Sequence, residues 1–148
     1  MSVRIESPLG FTADFPEHTQ VLEDSTAGPN SEQYGLLGDV LVTVIKDDTS
    51  VQGAPQANGW AHLMSGFYLE ERGGTVLTEG ELNLAGKAAY AVVVGYDDAD
   101  GSGKVAATVG VWERRRFIGL VVIWPYSNPG VEPRLDMLKE IVGSISVA

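Results

Sequence analysis

Apolar and polar positions along this chain follow two periods, and the change from one to the other marks its elements. From Asp39 to Lys46, the run DVLVTVIK sets Val40, Val42 and Val44 against Leu41 and Ile45. A strand with apolar residues in both alternating sets is covered on both faces. Four further strand-like runs extend from about Thr75 to Leu84, Ala88 to Asp97, Lys104 to Arg115 and Arg116 to Trp124. Their connections are short, so they predict an antiparallel meander. In the second run, Tyr90, Val92, Val94 and Tyr96 form one face. Ala89, Ala91, Val93 and Gly95 form a smoother one, against which a helix can pack closely. In RFIGLVVIWP, Phe117, Val121 and Ile123 alternate with Ile118, Leu120, Val122 and Trp124, so both faces of the sheet need covers.

The helical period appears twice. Trp60, Leu63, Met64, Phe67 and Tyr68 fall at i, i+3, i+4, i+7 and i+8, which predicts a helix with one apolar face, ended by Gly73 and Gly74. A second helix is predicted from near Pro129 to Ile145, with Val131, Leu135, Leu138, Val142 and Ile145 at helical spacing and two prolines placed early. The first forty residues read as strand and loop. FTADFP, Phe11 to Pro16, is a strand stopped by proline, and EDSTAGPNS after Leu22 is a loop of turn formers. DDTSVQGAPQANG, before the first helix, is the longest polar stretch. Two helices and two apolar sheet faces predict an α+β fold, a three-layer α/β/α sandwich with a central, mainly antiparallel sheet. With 148 residues, no internal repeat and no dividing linker, residues 1–148 read as one domain.

Composition narrows the partners. Apolar residues make up 44% of the chain and charged residues 20%, the balance of a folded domain. Twenty acidic against ten basic residues give a net charge of -10, which argues against nucleic acid and anionic membrane surfaces. The absence of cysteine excludes disulfides, thiolate metal sites and a cysteine nucleophile. MSVRIESPLG lacks the basic start and apolar run of an export signal, and no stretch of about 18 apolar residues supplies a membrane span. The expectation is a cytoplasmic protein.

The candidate chemistry is sparse. DADGSGKVAATV begins as a calcium loop begins, with Asp98, Asp100 and Ser102 at the first, third and fifth positions and Gly103 at the sixth. The twelfth position, which requires a bidentate glutamate, is Val109, and strand-like runs flank the loop where helices are needed. A polar hairpin turn is the stronger reading. GSGK lacks the first glycine and the following Ser or Thr of a phosphate loop. His18 and His62 are isolated, and Ser65 lacks a nucleophile-elbow sequence. The pairs Glu79 with Glu81 and Asp47 with Asp48 read as solvated carboxylates. No catalytic residue, metal or cofactor is therefore expected.

Two features point outward instead. ERRRF clusters Arg114, Arg115 and Arg116 at a turn between apolar strands. Such a turn keeps a sheet edge soluble, or offers guanidinium forks to an acidic partner. Trp60, Trp112, Trp124 and Tyr126 are the large aromatics most able to anchor a contact, and Trp124 and Tyr126, flanking Pro125 at a strand end, are expected to be partly exposed.

In GFTADFP, LNLAGKAAYAVVVGY, RRRFIGLVVIWP and LKEIVGSISV, taken in this order with DVLVTVIK and one long helix, the chain resembles the PsbP-like superfamily, which also includes the Mog and DcrB proteins. The resemblance implies an α/β/α sandwich with no shared catalytic apparatus. Members typically bind proteins: a small GTPase, a photosystem, or effector transmembrane segments for small cytoplasmic chaperones linked to type VI secretion. The chain is accordingly expected to be a non-enzymatic adaptor or chaperone-like domain, with homodimer formation left open. Trp60, Arg114, Arg115, Arg116, Trp124 and Tyr126 are its candidate contact residues. The first alternative is a small hydrophobic-ligand carrier using space between the sheet and the Trp60 to Tyr68 helix. A hydrolase built on His18 or His62 ranks below it.

Overall fold

The computed structural model describes residues 2–22, 30–46, 52–82, 84, 87–126 and 131–147. The chain opens with four strands, where the sequence suggests one strand and loop: β1 (Ser2–Glu6), β2 (Phe11–Pro16), β3 (Gln20–Leu22) and β4 (Ser31–Leu36). Residues 23–29 of the expected loop lie outside the described residues, and Ser31, its last, already belongs to β4. There follow β5 (Val40–Lys46), α1 (Ala54–Glu70), β6 (Thr75–Glu81), β7 (Ala88–Asp97), β8 (Gly103–Glu113), β9 (Arg116–Pro125), α2 (Val131–Ser144) and β10 (Ser146–Val147). The first helix starts inside the polar stretch, with Pro55 in its first turn. It stops before Gly73, whose φ of 63° is left-handed, and the Gly74 N–H closes the end on the Tyr68 carbonyl at 2.9 Å.

A seven-stranded sheet runs β3-β4-β5-β9-β8-β7-β6 with antiparallel neighbours throughout, and the predicted meander is its β6 to β9 half. A small second sheet orders β1-β2-β10. One face of the large sheet carries Val40, Val42, Val44, Leu120, Val122, Val109 and Ala107, all buried in one cluster with Phe11 and Phe15 of β2 and Leu138, Ile141 and Val142 of α2. The other face receives α1. The result is the three-layer sandwich, with α2 and the small sheet sharing the third layer.

Polar ties hold that third layer in place. Phe15 stacks on Tyr34 with ring centroids 4.6 Å apart, and Ser7 Oγ and Tyr34 Oη both donate to Glu32 Oε2. Ser144 Oγ accepts the Asp14 N–H at 2.7 Å, joining the end of α2 to β2. A satisfied bond of this kind contributes about 1 kcal/mol, whereas leaving its partner stranded costs more.

On the opposite face, α1 packs with its smallest residues. Ala57, Ala61 and Ser65 are buried, at i, i+4 and i+8, and Thr108 Oγ1 of β8 donates to the Ala61 carbonyl at 2.7 Å. Helix and sheet come close enough for that bond because β8 carries glycine under the helix: a Cβ on Gly110 would lie 2.1 Å from the Ala57 carbonyl oxygen.

Candidate functional site

The apolar stripe that predicts α1 is not the stripe that α1 buries. Leu63 is 75% exposed and Phe67 51%, while Trp60, Met64 and Tyr68 are half-buried. This corrects the expectation that the apolar face is the core face. The helix lies over β7 and β8 and reaches β9 only at its margin. Trp60 covers Gly119 of β9 and meets Phe117 edge-on at 5.2 Å, so the stripe borders the β9 side of the helix.

Beyond that border, among the described residues, no helix packs on this face of the sheet, whose positions there are partly buried on β5 and β4 and exposed on β3. Three more strands, β5, β4 and β3, extend it by about 14 Å at the usual strand spacing. Their residues on the α1 side are Leu41, Thr43 and Ile45 of β5, Ser31, Gln33 and Gly35 of β4, and Gln20 and Leu22 of β3, none of them fully buried. Gln33 Nε2 donates to Thr43 Oγ1 at 3.1 Å, so this polar pair is satisfied within the surface. No charged residue stands among these positions, on a chain of net charge -10. Sequence reasoning missed this floor, because β3 and β4 are short strands of mixed polarity and give no clean alternation.

At one end of the open face stands the arginine turn. Arg114 and Arg115 are the two central residues of the β8–β9 hairpin, both exposed and both at positive φ, 49° and 61°. A two-residue hairpin turn of this hand is built most easily from Asn-Gly, and a side chain at positive φ costs on the order of 1 kcal/mol. Arg116 opens β9 opposite Glu113. Phe117, the next residue, carries the ring on which Trp60 rests, so Trp60 and the three arginines share one end of the molecule.

The other two sequence candidates lie elsewhere. Trp124 is fully buried, against the expectation of partial exposure. The ladder continues past it, pairing Pro125 with Lys104, so Pro125 does not turn the strand out and the Trp124 ring stays in the core. Tyr126 is 47% exposed. It stands nine residues beyond Phe117, roughly 30 Å along an extended strand, and its ring lies over Gly95 and Gly103 on the face away from α1.

A cleft opens at the far end of the open face, between the last turn of α1 and the start of β5, with a volume of about 390 Å³. Phe67, Tyr68 and Tyr96 supply its rings, Leu41 and Ile123 its floor, and Asp39, Arg72, Asp98 and Lys104 its charged rim. Tyr68 and Tyr96 pack with centroids 4.9 Å apart. Burial raises both phenols, Tyr96 to about 12 against about 10 for a free phenol. The unfolded chain therefore releases these protons first. Their contribution to stability is complete below pH 10 and declines as pH rises through 12, so the Tm is expected to start falling near pH 10. Replacing Tyr96 with Phe should flatten that fall, and a Tm–pH profile identical to wild type would contradict the assignment.

The remaining candidates among the described residues are accounted for locally, and Asp47 and Asp48 lie outside those residues. Asp98 and Asp100 turn their carboxylates onto their own hairpin: Asp98 Oδ1 accepts the Ala99 N–H, and Asp100 Oδ1 accepts the Ser102 N–H and hydroxyl. Those bonds hold the Asp100 carboxyl below its ordinary range. Among the described residues, no three His, Asp or Glu side chains converge as a metal site requires. His62 Nε2 lies 3.7 Å from Glu79 Oε2 and its ring 5.1 Å from Tyr90, all at the surface. Ser65 donates to the His62 carbonyl at 2.8 Å, not to the imidazole, so it is not placed as a nucleophile. His18 holds a turn at a φ of 68°. Among the described residues, no helix is long and apolar enough to cross a membrane.

Fold and layer order together define a PsbP-like α/β/α sandwich. The chain aligns with the solution structure of cyanobacterial PsbP (CyanoP) from Synechocystis sp. PCC 6803 at a TM-score of 0.61 and 12% identity, over 99% of this chain and 92% of that one. It aligns with a crystal structure from Bacteroides thetaiotaomicron VPI-5482 at a TM-score of 0.69 and 9% identity, covering 98% of this chain but only 48% of that one. This chain thus spans about half the length of the Bacteroides protein. LpqN of Mycobacterium tuberculosis, described as involved in cell envelope biogenesis, aligns at 0.55 and 14% identity over 100% of this chain and 91% of its own. No family model and no curated protein sequence matches. At these identities the likeness is one of fold.

Proposed function

We propose that this chain is a non-enzymatic protein-binding domain of the adaptor or chaperone-like kind, which receives its partner on the open half of the sheet beside α1. One observation carries the reading: Trp60, Leu63, Met64 and Phe67 lie outside the core, next to an uncharged strand surface on an otherwise acidic chain. Interface cores are depleted in charge and enriched in aromatic residues and methionine, the character of this surface. An apolar partner segment covering it gains about 25 cal/mol for each Å² of apolar area removed from water. Trp60 already packs on Gly119 and Phe117, so it loses less freedom on contact than an unpacked side chain.

The arginine turn supports the same reading from another direction. Arg114 and Arg115 occupy a turn where Asn-Gly would be less strained, which is intelligible if their guanidinium groups orient an acidic segment of the partner. The variant Arg114→Asn with Arg115→Gly is therefore expected to raise stability by about 1–2 kcal/mol while weakening the complex. Thermal unfolding checks the first effect, and native mass spectrometry of the tagged protein drawn gently from its own lysate checks the second. A stoichiometric protein partner that persists undiminished in the variant would contradict the role given to the arginines. A chain that emerges bare or with only a small molecule would contradict the protein-binding reading.

A further inference from the structure

We propose that the cleft between the last turn of α1 and the start of β5 binds a zwitterionic aromatic small molecule, of the chemical class of the free aromatic amino acids. At about 390 Å³ the cleft has the size of a small-ligand site and not of an extended groove. Its ring wall is already ordered. Tyr68 is packed against Tyr96 on one side and meets Phe67 edge-on at 5.1 Å on the other, with 85° between the rings. Phe67 itself remains half-exposed, with the Arg72 guanidinium 5.8 Å from its centre. A planar ring entering over Leu41 and Ile123 would complete the apolar contact that Phe67 now lacks.

The rim decides the charge of that ligand. Arg72 and Lys104 supply two cations, Asp39 and Asp98 two carboxylates, and none of the four ion-pairs with another. A plain anion would meet both carboxylates, on a chain already at net -10, and a plain cation would meet Arg72 and Lys104. A neutral ring would strip water from charged groups and give nothing back. A molecule carrying one ammonium and one carboxylate beside its ring answers both signs at once, with the carboxylate toward Arg72, whose guanidinium already lies beside Phe67, and the ammonium toward Asp39 or Asp98. The cleft shares Phe67 and Leu41 with the proposed docking surface, but its test does not rest on that reading, because its occupant is a small molecule held by the charged end of the surface.

Amide chemical shifts of the full chain, titrated separately with L-tryptophan, tryptamine, indole-3-propionate and N-acetyltryptophanamide, test the proposal. L-Tryptophan is expected to shift amides around Phe67, Arg72, Tyr96 and Lys104. It should bind roughly tenfold or more tightly than each analogue lacking one or both charges, the factor that one charged hydrogen bond contributes. Arg72→Gln, at an exposed position, should weaken L-tryptophan toward the affinity of tryptamine and leave neutral N-acetyltryptophanamide unchanged, while tryptamine, relieved of a like charge, should bind no worse. No shifts in the cleft up to the solubility limit of L-tryptophan would overturn the proposal. Equal binding by N-acetyltryptophanamide, or shifts confined to another surface, would overturn it as well.

Discussion

Gly110→Val is expected to destabilise the protein by about 3–5 kcal/mol, on the order of 10 °C in Tm, more than most single substitutions. Its Cβ would fall 2.1 Å from the Ala57 carbonyl oxygen and 2.8 Å from the carbonyl carbon. The obstacle is helix backbone, which has no rotamer by which to move aside. α1 must lift, and the contacts of Ala57 and Ala61, with the Thr108 bond to the Ala61 carbonyl, open together. Ordinary overpacking costs about 1–3 kcal/mol, and the coupled losses add to it. Gly119→Ala offers the contrast, because the group in the way there is the Trp60 ring, at 2.4 Å, and a side chain can swing. It should cost less and change the tryptophan emission. Denaturant unfolding that places Gly110→Val within 1 kcal/mol of wild type would contradict the close helix–sheet approach described above.

Lys87→Met carries the second large effect. The Lys87 ammonium lies 3.4 Å from Glu113 Oε1 and donates to the Gly143 carbonyl at 3.0 Å, tying the root of the arginine turn to the end of α2. The two side chains are only 10% and 12% exposed, and Glu113 Oε2 is buried without a hydrogen-bond partner. Removing the cation leaves a carboxylate in a poorly hydrated site, a change that typically costs about 3–5 kcal/mol. Removing both charges in Lys87→Met with Glu113→Leu should recover most of that loss, since a buried pair contributes little net stability over an apolar replacement. A single variant as stable as wild type, or a double variant no better than the single, would show that the pair is solvated in solution.

These two sites also show what sequence could and could not reveal. The β7, β8 and β9 runs were legible because each is long and apolar in both alternating sets, and α2 because Leu138 and Val142 repeat at helical spacing and are buried. The core face of α1 was not, because Ala57, Ala61 and Ser65 carry almost no hydrophobic signal; the large residues that carry it lie one face over. That misreading turned out to be informative, since an apolar stripe unused by the core is what marks the candidate surface. Arg114 to Arg116 were recognisable as a turn, but the positive φ of Arg114 and Arg115 was not. Trp124 was misplaced because Pro125 suggests a strand end, while its register with Lys104 continues the ladder. Lys87 and Glu113 are far apart in sequence, and no local pattern predicts their pairing. The cleft draws on α1, β5, the β7–β8 hairpin and β9, so its charges meet only in the folded chain.

The central claim is that the open face beside α1 is where a partner docks. Its most direct test is a photo-crosslinking residue placed at Leu63, 75% exposed on that border, compared in living cells with the same residue at Val3, 40% exposed on β1 in the other sheet. The account predicts a discrete protein adduct from Leu63, absent from Val3 and reduced when Arg114→Asn and Arg115→Gly are introduced together. Identical labelling from the two positions, or no adduct at Leu63, would contradict it.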